Sequence, residues 1–280
     1  MTLTELAARG ANIAVVIFVA SSTLGVGLGL TPTQIVTPLK DIRVVSLTLL
    51  ANFVAAPLVA FGLWRLFDLD TPLGVGLLLC GMAAGAPFLI KLAEFARADP
   101  ALTVGLMALL MITTVAYVPI VLPIFLKGTE VNPLAIASSL VVLMLIPLAL
   151  GLLGRNRAPA LADRIRPGIG LLSTASMVLV VILTIIANFR EVLSVYGTRG
   201  LLAAIVYTAI CAGIGWGLVF FSTTARPVLA LGTAQRNAAA AFVVASQNFS
   251  DPRVAVMITV VLIAEFSMLI PVARFLARRT

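Results

Sequence analysis

The stretch Ala11–Leu30, ANIAVVIFVASSTLGVGLGL, runs for twenty residues without a charge. Water cannot hold such a segment. Its length matches the roughly 20 apolar residues with which an α-helix crosses a bilayer core of about 30 Å. Inside lipid every backbone N–H and C=O must find a partner within the protein, which leaves helices or a closed barrel. A barrel strand alternates polar and apolar residues, and these runs are continuous, so the chain is read as all-α. The first run is long enough to span and is expected to be a true transmembrane helix rather than a cleaved signal. Further segments follow at Val44–Phe67, Pro72 through an interrupted stretch ending near Arg97, Pro100–Phe125, Pro133–Leu153, Ile169–Phe189, Leu201–Phe221, Pro227–Gln247 (also interrupted) and Pro252–Leu276. The expected fold is a polytopic membrane protein of nine transmembrane helices, one membrane domain over residues 1–280. Composition agrees: 61% of residues are hydrophobic and 11% charged, against roughly 45–50% and 25% in soluble domains.

The net charge of +8 does not point to nucleic acid, because the cations flank apolar runs rather than cluster. With nine helices and the C-terminus inside, eleven Lys and Arg fall on cytoplasmic connections and six outside. The positive-inside bias therefore predicts an N-terminus outside and a C-terminus in the cytoplasm, in the plasma (inner) membrane. Lys91 and Arg236 are left within the interrupted segments. There is no histidine, and Cys80 and Cys211 lie far apart within apolar runs. Neither a disulfide framework nor a metal spacing results. No nucleophile–base pair for a membrane enzyme is visible, and no cofactor is expected.

The chain repeats itself. FARADPALTVGLM resembles QNFSDPRVAVMIT, with Asp99 and Asp251 separated by 251 − 99 = 152 residues; the same offset relates Pro100 to Pro252, Val104 to Val256 and Pro119 to Pro271. Asp-Pro is also a common helix start, Asp capping and Pro fitting the first turn. An odd number of helices separates the copies, so they face opposite ways, as in the inverted repeats of many secondary transporters. Each copy follows an interrupted segment, GMAAGAPFLIK or LGTAQRN. Irregular backbone at membrane depth survives only where protein buries it or water reaches it. Freed amides at half-helix N-termini attract anions. Two such breaks, brought together, would form one polar site lined by Pro87, Phe88, Thr233, Gln235, Arg236 and Asn237.

At GLGLTPTQI, LANFVAAPL, LAEFARADPALTV and LGTAQRN the chain resembles the bile acid:sodium symporter family, over nearly its whole length. The resemblance implies a nine-helix member without the family's first helix. It further implies a core domain (about residues 44–125 and 201–276), a panel domain (about 11–30 and 133–189), and broken third and eighth helices that cross in the core. It implies carriage of organic anions such as bile salts or small carboxylates, usually with sodium. The expected sodium ligands are depleted. Leu89-Ile90 stand where a Ser-Asn pair is typical, Leu231 where a glutamate is, and Met107 where a threonine is. Asn52, Thr103 and Gln235 retain oxygens. Hard cations want several oxygen ligands, so ordinary sodium coupling is not expected.

Lys91 stands beside the lost ligands, and an amine can take a cation's place. It can equally pair with Glu94 on the same helix face. Arg236 suits a substrate carboxylate, or can be locked to Glu265. Glu265 is a candidate proton acceptor, since intramembrane acids are commonly functional. The coupling set is thus Lys91, Glu265, Thr103, Asn52 and Gln235, and the substrate set the six residues lining the breaks. Ser21-Ser22-Thr23 can face the cavity but more commonly bond back to their own helix. The expected function is secondary active transport of a small organic anion by alternating access, proton-coupled or uncoupled. Its partners are that anion and the bilayer. The alternatives are a metalloid-anion exporter, which would favour a reactive thiol at the crossing, and a membrane sensor.

Overall fold

A computed structural model describes residues 3–31, 33–34, 40–126, 132–191 and 199–278. Lys127 and Arg279, which entered the charge count above, lie outside the described residues. So do parts of the GLGLTPTQI stretch. Among the described residues the regular structure is helical throughout. In chain order the helices are α1 (Leu3–Gly29), α2 (Ile42–Leu66), α3 (Thr71–Met82), α4 (Leu89–Ala96), α5 (Pro100–Phe125) and α6 (Pro133–Arg157). They continue with α7 (Pro159–Ala187), α8 (Gly200–Leu218), α9 (Ala225–Ala234), α10 (Ala238–Asn248) and α11 (Arg253–Leu276). Among the described residues eight stretches are long and apolar enough to span a membrane, α9 and α10 counting together. The shorter α3 is apolar too and leads through a break into α4.

Helix starts follow local chemistry. Asp41 Oδ1 accepts from the amides of Arg43 and Val44 at 3.1 and 3.2 Å. Asp99 Oδ1 accepts from Leu102 N at 2.8 Å, with Pro100 in the first turn. Each cap satisfies amides that the helix itself leaves free. The α5 bounds match the apolar run residue for residue. α1 and α7 begin earlier than their apolar runs, at Leu3 and Pro159. Hydropathy marks what lipid covers, whereas a helix propagates through any residue that keeps its backbone bonds.

Two helices contain a π-helical turn, Ala51–Ala55 in α2 and Val141–Leu145 in α6. Both precede a proline, Pro57 and Pro147. Proline has no N–H to give the carbonyl four residues back. The carbonyls concerned, Phe53 and Leu143, accept side-chain hydroxyls instead. Tyr117 Oη donates to Phe53 O at 2.6 Å, and Thr23 Oγ1 reaches Leu143 O at 3.4 Å.

Packing sorts the helices into two neighbourhoods. α1 lies along α6 and α7. α3 packs on α2 and α11, α8 packs on α9 and α11, and α4 touches α5, α9 and α11. α10 contacts both neighbourhoods, touching α1, α3 and α6. Where α1 meets α6, Gly27 and Gly151 face each other; a Cβ on either would come within 2.9 Å of the other helix's backbone. In lipid such small residues allow the backbone approach on which helix association depends. α9 and α10 are buried along their apolar length, while Leu134 of α6, Leu171 of α7 and Phe220 just past the end of α8 expose apolar surface. That is the inside–outside pattern of an integral membrane protein.

Candidate functional site at the helix crossing

Two interruptions, residues 83–88 between α3 and α4 and residues 235–237 between α9 and α10, meet inside the molecule. Asn237 N donates to Ala83 O at 2.9 Å. Asn237 Nδ2 reaches Gly85 O at 3.1 Å and Ala84 O at 3.4 Å, and its Oδ1 accepts from Ala240 N at 3.1 Å. One side chain thus caps α10 and ties it to the first break. On the far side of that break, Thr114 Oγ1 accepts from Ala84 N at 2.9 Å and donates to Ala84 O at 3.0 Å. A buried peptide removed from any helix is thereby satisfied on both faces. Gly85 adopts φ +79, and a Cβ there would lie 2.3 Å from Met111 N. The backbone conformation and the close approach both require glycine.

Arg236 is 1% exposed. Its Nε donates to Cys80 O at 2.9 Å, and Nη2 donates to Gly81 O at 2.8 Å. Its Nη1 donates to Asn52 Oδ1 at 2.7 Å and to Thr233 O at 2.9 Å. A longer contact of 3.5 Å joins Nη2 to Asn52 O in the π turn. A guanidinium has five N–H donors, and five acceptors surround this one. Cys80 and Gly81 belong to the last turn of α3, and Thr233 to the last turn of α9. The carbonyls of a helix's last turn lack helical partners and carry partial negative charge. Two negative helix ends therefore converge on a single cation. No carboxylate pairs with Arg236 among the described residues.

The opposite helix ends look elsewhere. The N-terminal starts of α4 and α10, at Phe88 and at Asn237-Ala238-Ala239, border a cavity of about 570 Å³. Pro87, Gln235 and Arg236 also border it, and so do Ser21 and Ser22 of α1 and Arg166, Ser173 and Thr174 of α7. Ser21, Ser22 and Thr23 each donate to a carbonyl of their own helix. Phe88 meets Phe266 edge-on at 4.6 Å between ring centroids.

The expected site residues divide by location. Gln235, Arg236, Asn237, Pro87 and Phe88 reach the cavity. Thr233 and Asn52 sit behind it, with Asn52 Nδ2 3.4 Å from Thr233 Oγ1. Lys91 also borders the cavity but at its rim, where it pairs with Glu94 at 2.7 Å with both side chains more than half exposed. Thr103 donates to Asp99 O at 2.7 Å within the first turn of α5. Glu265 is 1% exposed, and its Oε2 accepts from Gln235 Nε2 at 3.1 Å. The remaining oxygens of this pair, Glu265 Oε1 and Gln235 Oε1, have no hydrogen-bond partner among the described residues.

Residues 16–195 match the family described as the Sodium Bile acid symporter family. The chain belongs to that family. It is 26% identical over 248 residues to the probable sodium/metabolite cotransporter BASS6, chloroplastic, of Arabidopsis thaliana, covering 82% of this chain and 60% of that protein. It is also 26% identical over 204 residues to the probable sodium/metabolite cotransporter BASS5, chloroplastic, of the same plant, covering 68% of this chain and 49% of that one. The chain thus spans less than two thirds of the length of these curated relatives.

Against the sodium in the family's description, this member's crossing is poor in free oxygens. Leu89, Leu231 and Met107 are buried apolar side chains. Asn52 Oδ1 is engaged by Arg236. Sequence reasoning missed Thr114, Tyr117 and Arg166. Pro57 signals the carbonyl that Tyr117 serves, whereas Thr114 carries no local signal, because its partner Ala84 lies 30 residues away, and Arg166 carries none, because the residues it faces across the cavity are distant in sequence.

Proposed function

We propose that this protein is a secondary transporter for a small organic anion, held in the cavity between the crossing and the α1–α7 wall. The observation that carries the reading is the arrangement of helix ends: two N-terminal ends border the cavity, and two C-terminal ends are turned onto Arg236. The positive ends attract an anion, and Arg166 supplies a cation from the opposite wall. Arg236, with its donors engaged, contributes charge and rigidity rather than a direct fork on the carboxylate. Gln235 and Asn237 frame the pocket, while Pro87 and Phe88 line its apolar side.

Transport would proceed by alternating access, with a panel of α1, α6 and α7 moving against a core of α2–α5 and α8–α11. The exposed rim residues Lys91, Glu94 and Arg166 mark the cavity mouth. In the orientation favoured by the charge count this mouth faces the cytoplasm of the inner membrane. Glu265 is assigned the coupling proton, because a hydrogen on Oε1 can be shared with the unpartnered Gln235 Oε1. No residue is given covalent chemistry, so the reading is a carrier rather than an enzyme. Nothing at the crossing favours the metalloid exporter: Cys80 contributes its backbone carbonyl there, and its side chain is buried.

Purified protein in proteoliposomes, offered a panel of labelled carboxylates under separately imposed pH and sodium gradients, tests this reading. Saturable uptake of at least one carboxylate, accelerated by an inward proton gradient, is expected. Uptake no faster than in protein-free vesicles for every compound would end the proposal.

A further inference from the structure

A cation binding site buried in a membrane protein is built from oxygen atoms whose partners are missing: helix-end carbonyls, side-chain amides and hydroxyls. The crossing gathers oxygens of these kinds, although Cys80 O also accepts from Ala83 N at 3.2 Å. Cys80 O, Gly81 O and Thr233 O come from the ends of α3 and α9, and Asn52 supplies its side-chain and backbone oxygens from the π turn of α2. These oxygens come from three helices, α2, α3 and α9, and the guanidinium of Arg236 lies among them. Arg236 is 1% exposed and, among the described residues, its guanidinium forms no ion pair with a carboxylate. A buried charge is tolerated when every polar contact is made, and here its donors and the oxygens match in number.

We propose that Arg236 is a permanent, covalently attached occupant of the cation site at the crossing, so that the site takes no sodium ion. The inference rests on the transporter reading for its meaning but concerns an equilibrium property of the protein alone. Guanidinium stays protonated at any physiological pH. The charge that ties the two broken helices together is therefore always present and cannot be released to either side. A mobile ion would order the crossing only when bound; the tethered one orders it continuously. The oxygens left over, Gln235 Oε1 and Glu265 Oε1, are two, fewer than a hard cation gathers. The apolar Leu89, Leu231 and Met107 add none. The residues present therefore do not fit the sodium named in the family's description.

The test is a thermal-unfolding titration of the purified chain in detergent, with sodium chloride exchanged against choline chloride at constant ionic strength. Binding of radioactive sodium is measured in parallel. Wild-type protein is expected to show no saturable rise in Tm with sodium and no displaceable sodium binding. Arg236→Ala vacates the oxygens. It is expected to lose several degrees in Tm and to recover part of the loss, saturably, with methylguanidinium or sodium but not with choline. A saturable sodium response of the wild type would overturn the proposal. So would a folded R236A indifferent to both cations. If R236A does not fold, Arg236→Lys, which keeps the charge, is expected to fold with a lowered Tm and the same sodium indifference, and the wild-type titration decides alone. Failure of carboxylate uptake would discard the transporter reading and leave these binding results standing.

Discussion

Asn52 and Arg236, 184 residues apart in sequence, meet at 2.7 Å with both side chains buried. The amide oxygen comes from a helix turn widened ahead of Pro57, the guanidinium from the gap between α9 and α10. The pair joins the second helix of the chain to its last broken one. A neutral amide oxygen, rather than a carboxylate, accepts from the buried guanidinium.

Asn52→Leu removes that acceptor and leaves a charged donor without a partner. Hydrogen bonds to charged groups contribute about 1.5–3 kcal/mol, and a loss of that size is expected. Thermal unfolding of the detergent-solubilised protein measures it, with an unchanged Tm as the contrary result.

Thr114→Val keeps the side chain's shape and deletes both bonds to Ala84. The peptide they satisfy is buried at the first break, so a cost of about 1–3 kcal/mol is expected. Thr113→Val serves as the comparison, since that hydroxyl bonds back within its own helix. Equal Tm values for the two variants would show that the reciprocal bonds contribute nothing.

Gly85→Ala is expected to prevent accumulation of monodisperse protein, because the new Cβ meets backbone atoms of α5 at 2.3 and 2.7 Å. Gly62→Ala meets nothing within 4 Å and gains helix propensity of up to about 1 kcal/mol. Size-exclusion profiles of the two alanine variants should therefore differ sharply. Similar profiles would show that the first break relaxes freely.

Arg166→Gln takes the cation from the cavity wall opposite the helix N-termini. For a transported carboxylate the apparent KM should rise about tenfold, equivalent to about 1.4 kcal/mol, with little change in maximal rate. Concentration-dependent uptake reads this directly. An unaltered KM removes Arg166 from the anion site.

Glu265→Gln keeps the size and polarity of the side chain and denies it a titrating proton. Acceleration of uptake by an imposed inward proton gradient should vanish in this variant, while exchange of labelled for unlabelled substrate persists. Undiminished acceleration would move the proton to another group.

Hydrophobic run length alone determined that this chain is a helical membrane protein, since lipid offers the backbone no hydrogen bonds and only helices can carry such runs. The places where helices must break were legible as well: glycine, proline and polar residues in GMAAGAPFLIK and LGTAQRN cannot continue an apolar rod. Local chemistry also set the cap at Asp99 and the internal bonding of Ser21 and Ser22. The tertiary structure decided what the broken ends face. Lys91, adjacent in sequence to the depleted ligand positions, sits at an exposed rim beside Glu94, whereas Arg236 is drawn among carbonyls from α3 and α9 and the Asn52 turn. A residue's position along one helix specifies its height and face, but which oxygens complete its coordination depends on helices 150 residues or more away. Their approach is set by the close packing of all of them at once, and no stretch of sequence contains that sum.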